Sequence, residues 1–367
     1  MYLLIGLGYN FNYSIKTHNI LSNYHMGKNR RTADRKTDHL RIVLDEKVNS
    51  SLSNGFEKYR FIHQALPEID FAQIETKSNF LKKTLDYPIL ISSMTGGTPE
   101  TAKINHCLAK VAQKYGIAMG VGSQRIGIED STRMYSFNVR KLAPDILLFA
   151  NLGAVQLNYS HSTEQCQKAV DEIEANALFL HLNPLQEALQ PEGNTNFSGL
   201  LKKIELVCKT LSIPVFIKEV GWGISEKTAS LLASAGIAGI DVAGAGGTSW
   251  SEVEKYRIKD PVHIHVASAF HDWGIPTADS IIQVKKAAPT LSVIASGGIT
   301  NGIEIAKSIA LGSSMAGLAT RFIRAASISF DETENILKEL ILQLRICMFT
   351  VGAKNIHDLK NIRIIRE

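Results

Sequence analysis

Glycines recur in the second half of the chain at the ends of short apolar runs. Gly246 and Gly247 form one pair, Gly297 and Gly298 form a second, and Gly317 lies in a third run. The second pair stands just before a segment of helical period, so backbone N–H groups and a helix N-terminus would face one ligand there. A single pair is weak evidence, but the three positions together predict a binding site for a phosphate group.

Hydroxyl, amide and guanidinium groups follow three earlier apolar runs. Thr95 and Gly96 end the first run, Ser123 and Arg125 end the second, and Asn151 lies at the end of the third. Groups of these kinds can hold a heterocycle and an anion. Each alone has an ordinary explanation, because glycines make tight turns, strand-end arginines form surface ion pairs and asparagines form turns.

The segment HLNPLQE carries four polar side chains after another apolar run. Its alternation can direct His181 and Asn183 to one side, while the residues that follow present Gln186 and Glu187. A single carboxylate makes a poor all-protein metal site but suits Mg²⁺, which keeps waters and takes oxygens from substrate phosphates. The alternative is that Glu187 is the solvated first turn of a helix.

Lys218 lies within the otherwise apolar segment VFIKEV, where an unpaired ammonium group would be costly. It therefore needs an anionic partner. A Schiff-base lysine, a lysine beside the pyrimidine edge of a flavin, and a structural ion pair with Glu219 all remain open.

The elements that must position these residues follow a regular rhythm. Short apolar runs alternate with segments of helical period such as Glu226 to Ala235 and Gly302 to Ala310, which is typical of repeated βα units. Eight strands predict a (β/α)8 TIM barrel, with an open doubly wound sheet as the alternative. We expect the 251–276 insertion to lie over the active face as a lid or assembly surface, and a helix near Gly55 to Ala65. The predicted strands are 88–93, 118–123, 146–153, 177–183, 214–220, 239–246, 292–299 and 314–322.

The composition bounds the class of protein. With 367 residues, 45% hydrophobic residues and a formal net charge of +5, the chain suits a globular protein with a small anionic ligand rather than a nucleic acid. Its four widely spaced cysteines predict unpaired thiols in the cytoplasm, and no run is long enough to span a membrane. We expect residues 35–367 to form one domain, with 35–87 as cap and substrate clamp. Residues 1–34 are expected to be an extension that is disordered or foreign to the native protein, with translation starting at Met26.

Several motifs then converge on one family. They include RKTDH at 35–39, SSMTGGT at 92–98, IKEVGWG at 217–223 and ASGGI at 295–299, and the most specific is NPLQE followed by PEGN within 183–194. From about Arg35 to its C-terminus the chain resembles the type 2 isopentenyl-diphosphate isomerases. That family interconverts isopentenyl and dimethylallyl diphosphate with Mg²⁺ and reduced FMN, the electrons coming from NAD(P)H.

The resemblance implies a role for each group of residues. Gln186, Lys218 and His181 would be catalytic, Glu187 would hold Mg²⁺, and the protein would be a homo-oligomer, a tetramer or an octamer, without nucleic-acid or membrane partners. The diphosphate substrate would contact Arg35, Lys36, His39, Arg125, Asn183 and Gln186, and Trp250 would shield the prenyl tail. FMN would contact Ser93, Met94, Thr95, Gly96, Ser123, Asn151, Lys218, Thr248, Gly298, Ile299, Thr300, Ala316 and Gly317.

Thr300 is a departure from the family pattern, because many members carry an arginine at this position after the GGI turn. Threonine donates only a neutral hydrogen bond, so we expect backbone N–H groups, the helix end or another cation to compensate.

Two rival functions also stay open. One is an FMN-dependent oxidoreductase of the 2-hydroxy-acid oxidase type, whose His base and Arg clamp are missing from GAGGTSW at 244–250. The other is a non-catalytic flavin- or phosphate-binding protein.

Overall fold

The computed structural model describes residues 35–367, so the predictions for residues 1–34 and for a start at Met26 lie outside the described part of the chain. The N-terminal segment begins with helix α1 (35–45), which ends where the chain turns across the barrel. Ser50 donates its backbone N–H to the Gly247 carbonyl, and Ser249 donates to the Val48 carbonyl. The segment is therefore tied to the loop that follows the sixth barrel strand.

The predicted helix near Gly55 to Ala65 is wrong. The chain makes one 3₁₀ turn at Phe56–Lys58 and then strand β1 (Tyr59–Phe61). Strand β1 pairs antiparallel with the C-terminal strand of the chain, Ile364–Arg366. Hydrogen bonds to a strand that is distant in sequence outweigh the local helical period here. A window of neighbouring residues cannot reveal such a partner.

The next two strands form a hairpin that closes one end of the barrel. Strands β2 (Ser78–Phe80) and β3 (Lys83–Leu85) pair antiparallel. Phe80 and Leu85 are buried in one cluster with residues inside the barrel, and the Phe80 ring lies 5.7 Å from that of Phe216.

Eight parallel strands close into the predicted barrel, which excludes the open sheet. Each lies within a predicted run, and all except β6 stop before the end of that run, because the chain continues there as a loop or, at 320–322, as a helix. Strand β11 pairs with β4, and this contact closes the barrel. The strands are β4 (Ile89–Ile91), β5 (Ala118–Gly120), β6 (Leu148–Gly153), β7 (Ala177–His181), β8 (Val215–Lys218), β9 (Gly239–Asp241), β10 (Ser292–Ser296) and β11 (Met315–Leu318); β12 (Ile364–Arg366) pairs with β1.

Helices return the chain between strands. Those predicted at 226–235 and 302–310 are confirmed, and no helix within residues 35–367 is long and apolar enough to cross a membrane. The helices are α2 (Pro99–Tyr115), α3 (Arg125–Glu129), α4 (Thr163–Asp171), α5 (Pro184–Leu189), α6 (Leu200–Thr210), α7 (Glu226–Ser234), α8 (Trp250–Lys255), α9 (Pro261–Ser268), α10 (Thr277–Ala287), α11 (Gly302–Ala310), α12 (Thr320–Ile328), α13 (Phe330–Thr350) and α14 (Ile356–Asn361).

The barrel interior changes from apolar to polar along the strands. Phe149, Phe179 and Phe216 face one another in the lower layer, with ring centroids 4.4 to 6.1 Å apart. Because side chains alternate along a strand, the residue two positions later on each strand also points inward. Those residues are Asn151, His181 and Lys218, so the period-two pattern delivers polar groups to the C-terminal end.

Candidate active site

A cavity of about 420 Å³ opens at the C-terminal ends of the barrel strands. Its size suits a cofactor with a small substrate. Nearly all of the predicted site residues line it, and two do not. At Gly96 a Cβ would lie 2.0 Å from the Phe137 ring, so this glycine serves packing. Ala316 is buried in the core outside the strands, because Gly317 next to it takes the inward position.

Lys218 forms the floor of the cavity with a carboxylate that the sequence reasoning missed. Its Nζ lies 2.9 Å from Asp241 Oδ2 and donates to Ser296 Oγ at 3.3 Å, and the Ser296 hydroxyl donates to Asp241 Oδ1. Asp241 is fully buried. The signal that could have found it is an aspartate inside the apolar run GIDV. The alternative pairing with Glu219 is wrong, because Glu219 instead accepts hydrogen bonds from three backbone N–H groups just after it.

His181 is held as a neutral ring. Asn151 Nδ2 donates to the Val121 carbonyl, which leaves Asn151 Oδ1 as the acceptor for His181 Nδ1–H at 2.8 Å. Burial lowers the pKa of His181 to about 3, and the nearby charges of Lys218, Lys36 and Arg35 act in the same direction. At neutral pH the ring can therefore accept a hydrogen bond at Nε2 but cannot act as a charged acid.

The NPLQE and PEGN motifs form one structural unit. Asn183 Nδ2 donates to both Gln186 Oε1 and Glu187 Oε1, and the Asn194 N–H donates to Glu187 Oε2 at 2.5 Å. Only glycine fits at position 193, since a Cβ there would lie 1.7 Å from the Glu187 carbonyl oxygen. The loop thus orients the Glu187 carboxylate, which is buried rather than the solvated helix start considered from sequence.

Glu254, on helix α8 of the 251–276 insertion, is a second residue that sequence reasoning missed. Its Oε1 accepts from Gln186 Nε2 and from His39 Nε2, each at 3.0 Å, and Arg257 donates to Oε2 at 2.6 Å. Burial would raise the pKa of Glu254, but the His39 hydrogen bond and the Arg257 charge lower it to about 2. The insertion therefore contributes directly to the active face, where Trp250 also packs edge-on against His39.

Cationic side chains lie together at the mouth of the cavity, and helix α1 supplies two of them. Arg35 donates to Gln190 Oε1 at 3.3 Å, and Lys36 Nζ donates to the Ser123 carbonyl at 2.7 Å. Arg125 pairs with Glu129 at 3.0 Å. Burial lowers the pKa of Lys36 to about 7, and the Arg35 charge adds to this. Like charges held together in a buried place favour an anionic ligand.

The opposite end of the cavity is made of backbone. Gly297 and Gly298 adopt φ values of 109° and 71°, and a Cβ on Gly298 would lie 2.3 Å from the Gly246 carbonyl oxygen. The loops after β9 and β10 therefore touch through their main chains. Helix α12 begins here, and Thr320 on its first turn shares a hydrogen bond with Thr248 at 2.9 Å.

The cavity fits a flavin mononucleotide. The hydroxyl oxygens of Ser92 and Ser93 are buried without a hydrogen-bond partner in the described chain, and both residues line the cavity. Buried polar atoms of this kind need a partner. The floor offers a cation, the wall offers amides, and the glycine end suits a phosphate.

A magnesium ion fits only with help from a ligand. No group of three or more acidic, histidine or cysteine side chains that could hold a metal occurs within residues 35–367. Each Glu187 carboxylate oxygen accepts one hydrogen bond and keeps a further lone pair. Glu187 could therefore bind Mg²⁺ whose remaining ligands are waters and phosphate oxygens.

Solved structures of two oxidases share this architecture. A lactate oxidase from Pediococcus acidilactici superposes with a TM-score of 0.67 at 14% identity over 93% of this chain and 94% of its own. A mandelate oxidase that carries an FMN adduct gives a TM-score of 0.63 at 15% identity over 89% and 95%. These likenesses establish the fold alone.

Sequence comparison gives the family. Residues 183–366 match the model described as FMN-dependent dehydrogenase. The isopentenyl-diphosphate delta-isomerase of Rickettsia bellii (strain RML369-C) is 50% identical over 330 residues, 90% of this chain and 96% of that protein. The enzyme of the same name from Nostoc sp. (strain PCC 7120) is 49% identical over 90% and 95%. The chain therefore belongs to the isopentenyl-diphosphate delta-isomerases, in the form built on the barrel of the FMN-dependent dehydrogenases.

Proposed function

We propose that this protein interconverts isopentenyl and dimethylallyl diphosphate, with FMN and Mg²⁺ bound in the cavity. The observation that carries the proposal is the meeting of two groups of side chains at one mouth. The cations of Arg35, Lys36 and Arg125 lie there with the Glu187 carboxylate, above a floor that suits a flavin. A diphosphate with its magnesium ion matches this pairing of several positive groups with one metal-binding oxygen donor.

The clamp residues would hold the diphosphate. Arg35, Lys36 and Arg125 supply charge-assisted hydrogen bonds, and His39 supplies a ring held by Glu254. Glu187 would bind Mg²⁺ together with the substrate phosphates. Asn183 would hold the Glu187 and Gln186 side chains in fixed positions through its two donated hydrogen bonds.

The reacting end of the substrate would lie between Gln186 and the floor of the cavity. FMN in its reduced form would supply there an electron-rich ring and a nitrogen that can give and take a proton. Gln186 is fixed by Glu254 on one side and Asn183 on the other, so its amide is aimed before substrate arrives. Lys218 keeps a positive charge at the floor, and His181 offers a neutral acceptor. Trp250 would keep water from the prenyl group.

The flavin would rest on the residues that line the lower cavity. Double-bond migration involves no net redox change, so NAD(P)H would serve only to bring FMN to its reduced state. The residues that we propose to contact FMN are Ser93, Met94, Thr95, Ser123, Asn151, Lys218, Thr248, Gly298, Ile299 and Gly317.

An omission assay tests the proposal. Isopentenyl diphosphate, Mg²⁺, FMN and NADPH are supplied together and then left out one at a time, and dimethylallyl diphosphate is measured. We expect product only with the full set, and many turnovers for each NADPH consumed. No dimethylallyl diphosphate with the full set, together with reduction of the bound FMN by a 2-hydroxy acid, would instead support the 2-hydroxy-acid oxidase type of function, and product without FMN would overturn the flavin mechanism.

Glu187→Gln tests the magnesium role separately. The amide keeps the shape of the side chain but loses the charge that attracts Mg²⁺, so we expect turnover to fall by at least ~100-fold while FMN stays bound. Glu205→Gln is the control, because Glu205 pairs with Lys209 on the exposed face of helix α6 and does not line the cavity, so turnover should be unchanged. Unchanged activity of Glu187→Gln would remove this residue from the metal site.

We further propose a cytoplasmic homo-oligomer, a tetramer or an octamer. Within residues 35–367 all four cysteines are unpaired, which suits a reducing compartment. Val262, Val266 and Trp273 on the insertion expose apolar surface that a second subunit could cover. Light scattering coupled to gel filtration measures the mass, and a monomer would contradict this proposal.

A further inference from the structure

The glycine end of the cavity needs a positive group if it holds a phosphate. Backbone N–H groups and the start of helix α12 carry only partial charges, whereas a phosphate monoester carries close to two negative charges at neutral pH. The residues that line this end include Gly298, Ile299, Thr300, Thr320 and Arg321. Among these five, arginine alone is charged.

Thr300 is already engaged. Its backbone N–H and its hydroxyl both donate to Glu304 Oε2, at 2.7 Å and 3.1 Å. Asn54 fixes Glu304 in turn by donating to its other carboxylate oxygen, at 3.0 Å, and also donates to the Gly298 carbonyl. A hydroxyl has a single proton to donate, so Thr300 has no donor left for a phosphate in this arrangement.

The carbonyl of Thr300 instead brings Arg321 to the turn. The Arg321 guanidinium, on the first turn of α12, donates to this carbonyl and also pairs with Glu339 of helix α13 at 2.8 Å. Arg321 has about a quarter of its side chain exposed and Glu339 about half, so water screens this ion pair strongly. Guanidinium has five N–H donors in a planar fork, which lets it keep the carbonyl and still bind a phosphate.

We propose that Arg321 is the cation that binds the phosphate monoester of the flavin cofactor, in the place where Thr300 supplies none. This inference rests on the proposed function, because it takes FMN as the ligand. The Thr300 carbonyl holds the guanidinium beside the glycine turn, and Glu339 pairs with it until the ligand arrives. Binding then exchanges a solvent-screened ion pair for a charge-assisted contact at the helix N-terminus.

Flavin titrations test the proposal without relying on turnover. Protein freed of flavin is titrated with FMN and with riboflavin, which shares the ring system but lacks the phosphate, and the dissociation constants are read from flavin fluorescence. For Arg321→Gln we expect FMN binding to weaken at least tenfold and riboflavin binding to stay within twofold. Arg321→Lys should recover part of the loss, because it restores the charge without the fork.

Two further variants separate the charge from its surroundings. Glu339→Gln removes the ion pair between α12 and α13 but keeps the arginine, so FMN binding should be unchanged or tighter. Arg324→Gln removes the other cavity-lining arginine of α12, whose Nη2 donates to the Val43 carbonyl, and should change FMN binding less than Arg321→Gln does.

The outcomes separate a failure of the role assigned to Arg321 from a failure of the proposed function. An equal loss of FMN and riboflavin in Arg321→Gln, or the same loss in Glu339→Gln, would assign Arg321 a structural role and overturn the inference. Unchanged FMN binding in Arg321→Gln would overturn it as well, while the unmodified protein still binds FMN. If the unmodified protein does not bind FMN, the proposed function itself fails.

Discussion

At the scale of single residues, two buried charges of the site each have a specific charged partner. Lys218 has Asp241, and Glu254 has Arg257. Lys36 differs, since its Nζ donates to a backbone carbonyl and its neighbour Arg35 is also cationic. An ammonium group that lacks a counter-ion in a buried place loses its proton more readily, and a diphosphate supplies the missing charge.

The lowered pKa of Lys36 predicts a pH effect on substrate capture. In the free protein Lys36 is protonated below pH 7 and loses its charge as pH rises through about 7. We therefore expect kcat/KM to fall by up to about tenfold for each pH unit above this value, and kcat to fall only at higher pH, because bound diphosphate keeps the ammonium charged. Lys36→Arg should move the kcat/KM limb to higher pH, and an unmoved limb would exclude Lys36 as its origin.

The Lys218–Asp241 pair predicts a large loss of stability when one partner is removed. Asp241→Asn leaves a buried ammonium group without its counter-ion, so we expect the free energy of unfolding to fall by about 3–5 kcal/mol in urea denaturation. Glu226→Gln breaks the Lys286–Glu226 pair, which has the same 2.9 Å separation but is exposed, and should cost at most about 1 kcal/mol. The double variant Lys218→Met, Asp241→Asn should be more stable than Asp241→Asn alone, and the opposite order would contradict the pairing.

At the scale of elements, the site depends on short segments that act as units. Helix α5 and the loop after it hold Glu187 from two sides, and helix α8 reaches the same place through Glu254. Helix α1 then covers the mouth, where His39 meets Glu254. A change within one segment should therefore affect the metal or the substrate while leaving the flavin floor intact.

Gly193→Ala tests the loop after α5. The new Cβ would overlap the Glu187 carbonyl oxygen, so the loop must move and withdraw the Asn194 N–H from the carboxylate. We expect the Mg²⁺ concentration for half-maximal activity to rise at least ~10-fold, about 1.4 kcal/mol, with FMN affinity unchanged. Gly199→Ala is the control, since a Cβ at Gly199 meets open space, although its φ of 67° is itself costly for alanine. An equal effect of Gly199→Ala would show that the loss does not arise from the contact with the Glu187 carbonyl.

At the scale of the whole molecule, the barrel separates stability from chemistry. The phenylalanine layer and the hairpin β2–β3 close the N-terminal end, while the polar layer and the loops form the other end. In such barrels the end that carries the loops after the strands is the catalytic one. Substitutions at the closed end should therefore change unfolding much more than turnover.

Phe80→Ala tests this separation. Removal of the buried ring should lower the free energy of unfolding by about 3–5 kcal/mol, because a cavity remains against Phe216. We expect kcat and the FMN dissociation constant of the folded protein to stay within twofold. Leu66→Ala, at a residue that is 77% exposed, should change stability by no more than ~0.5 kcal/mol. A loss of FMN affinity in Phe80→Ala would show that the two ends are coupled.

The sequence by itself determined the eight strands and brought most of the predicted site residues, Gly96 and Ala316 excepted, to the cavity. Both follow from local pattern, since apolar runs mark buried parallel strands and the polar residues that end them must meet at one end of a closed barrel. The helices at 226–235 and 302–310 were predictable because helical period is also a local pattern. The motifs also predicted a metal ligand at Glu187 and a substrate clamp near Arg35. Glu187 and Arg35 both line the cavity.

Tertiary structure alone decided which partners these residues take. The segment at 59–61 is a strand because its partner lies at the other end of the chain, and Lys218 pairs with Asp241 rather than its neighbour Glu219 because strands β8 and β9 are adjacent in the barrel. Glu254 reaches Gln186 across 68 positions, and Arg321 reaches Thr300 across 21. Contacts between residues so far apart in sequence depend on how the chain closes on itself, and no local pattern encodes them.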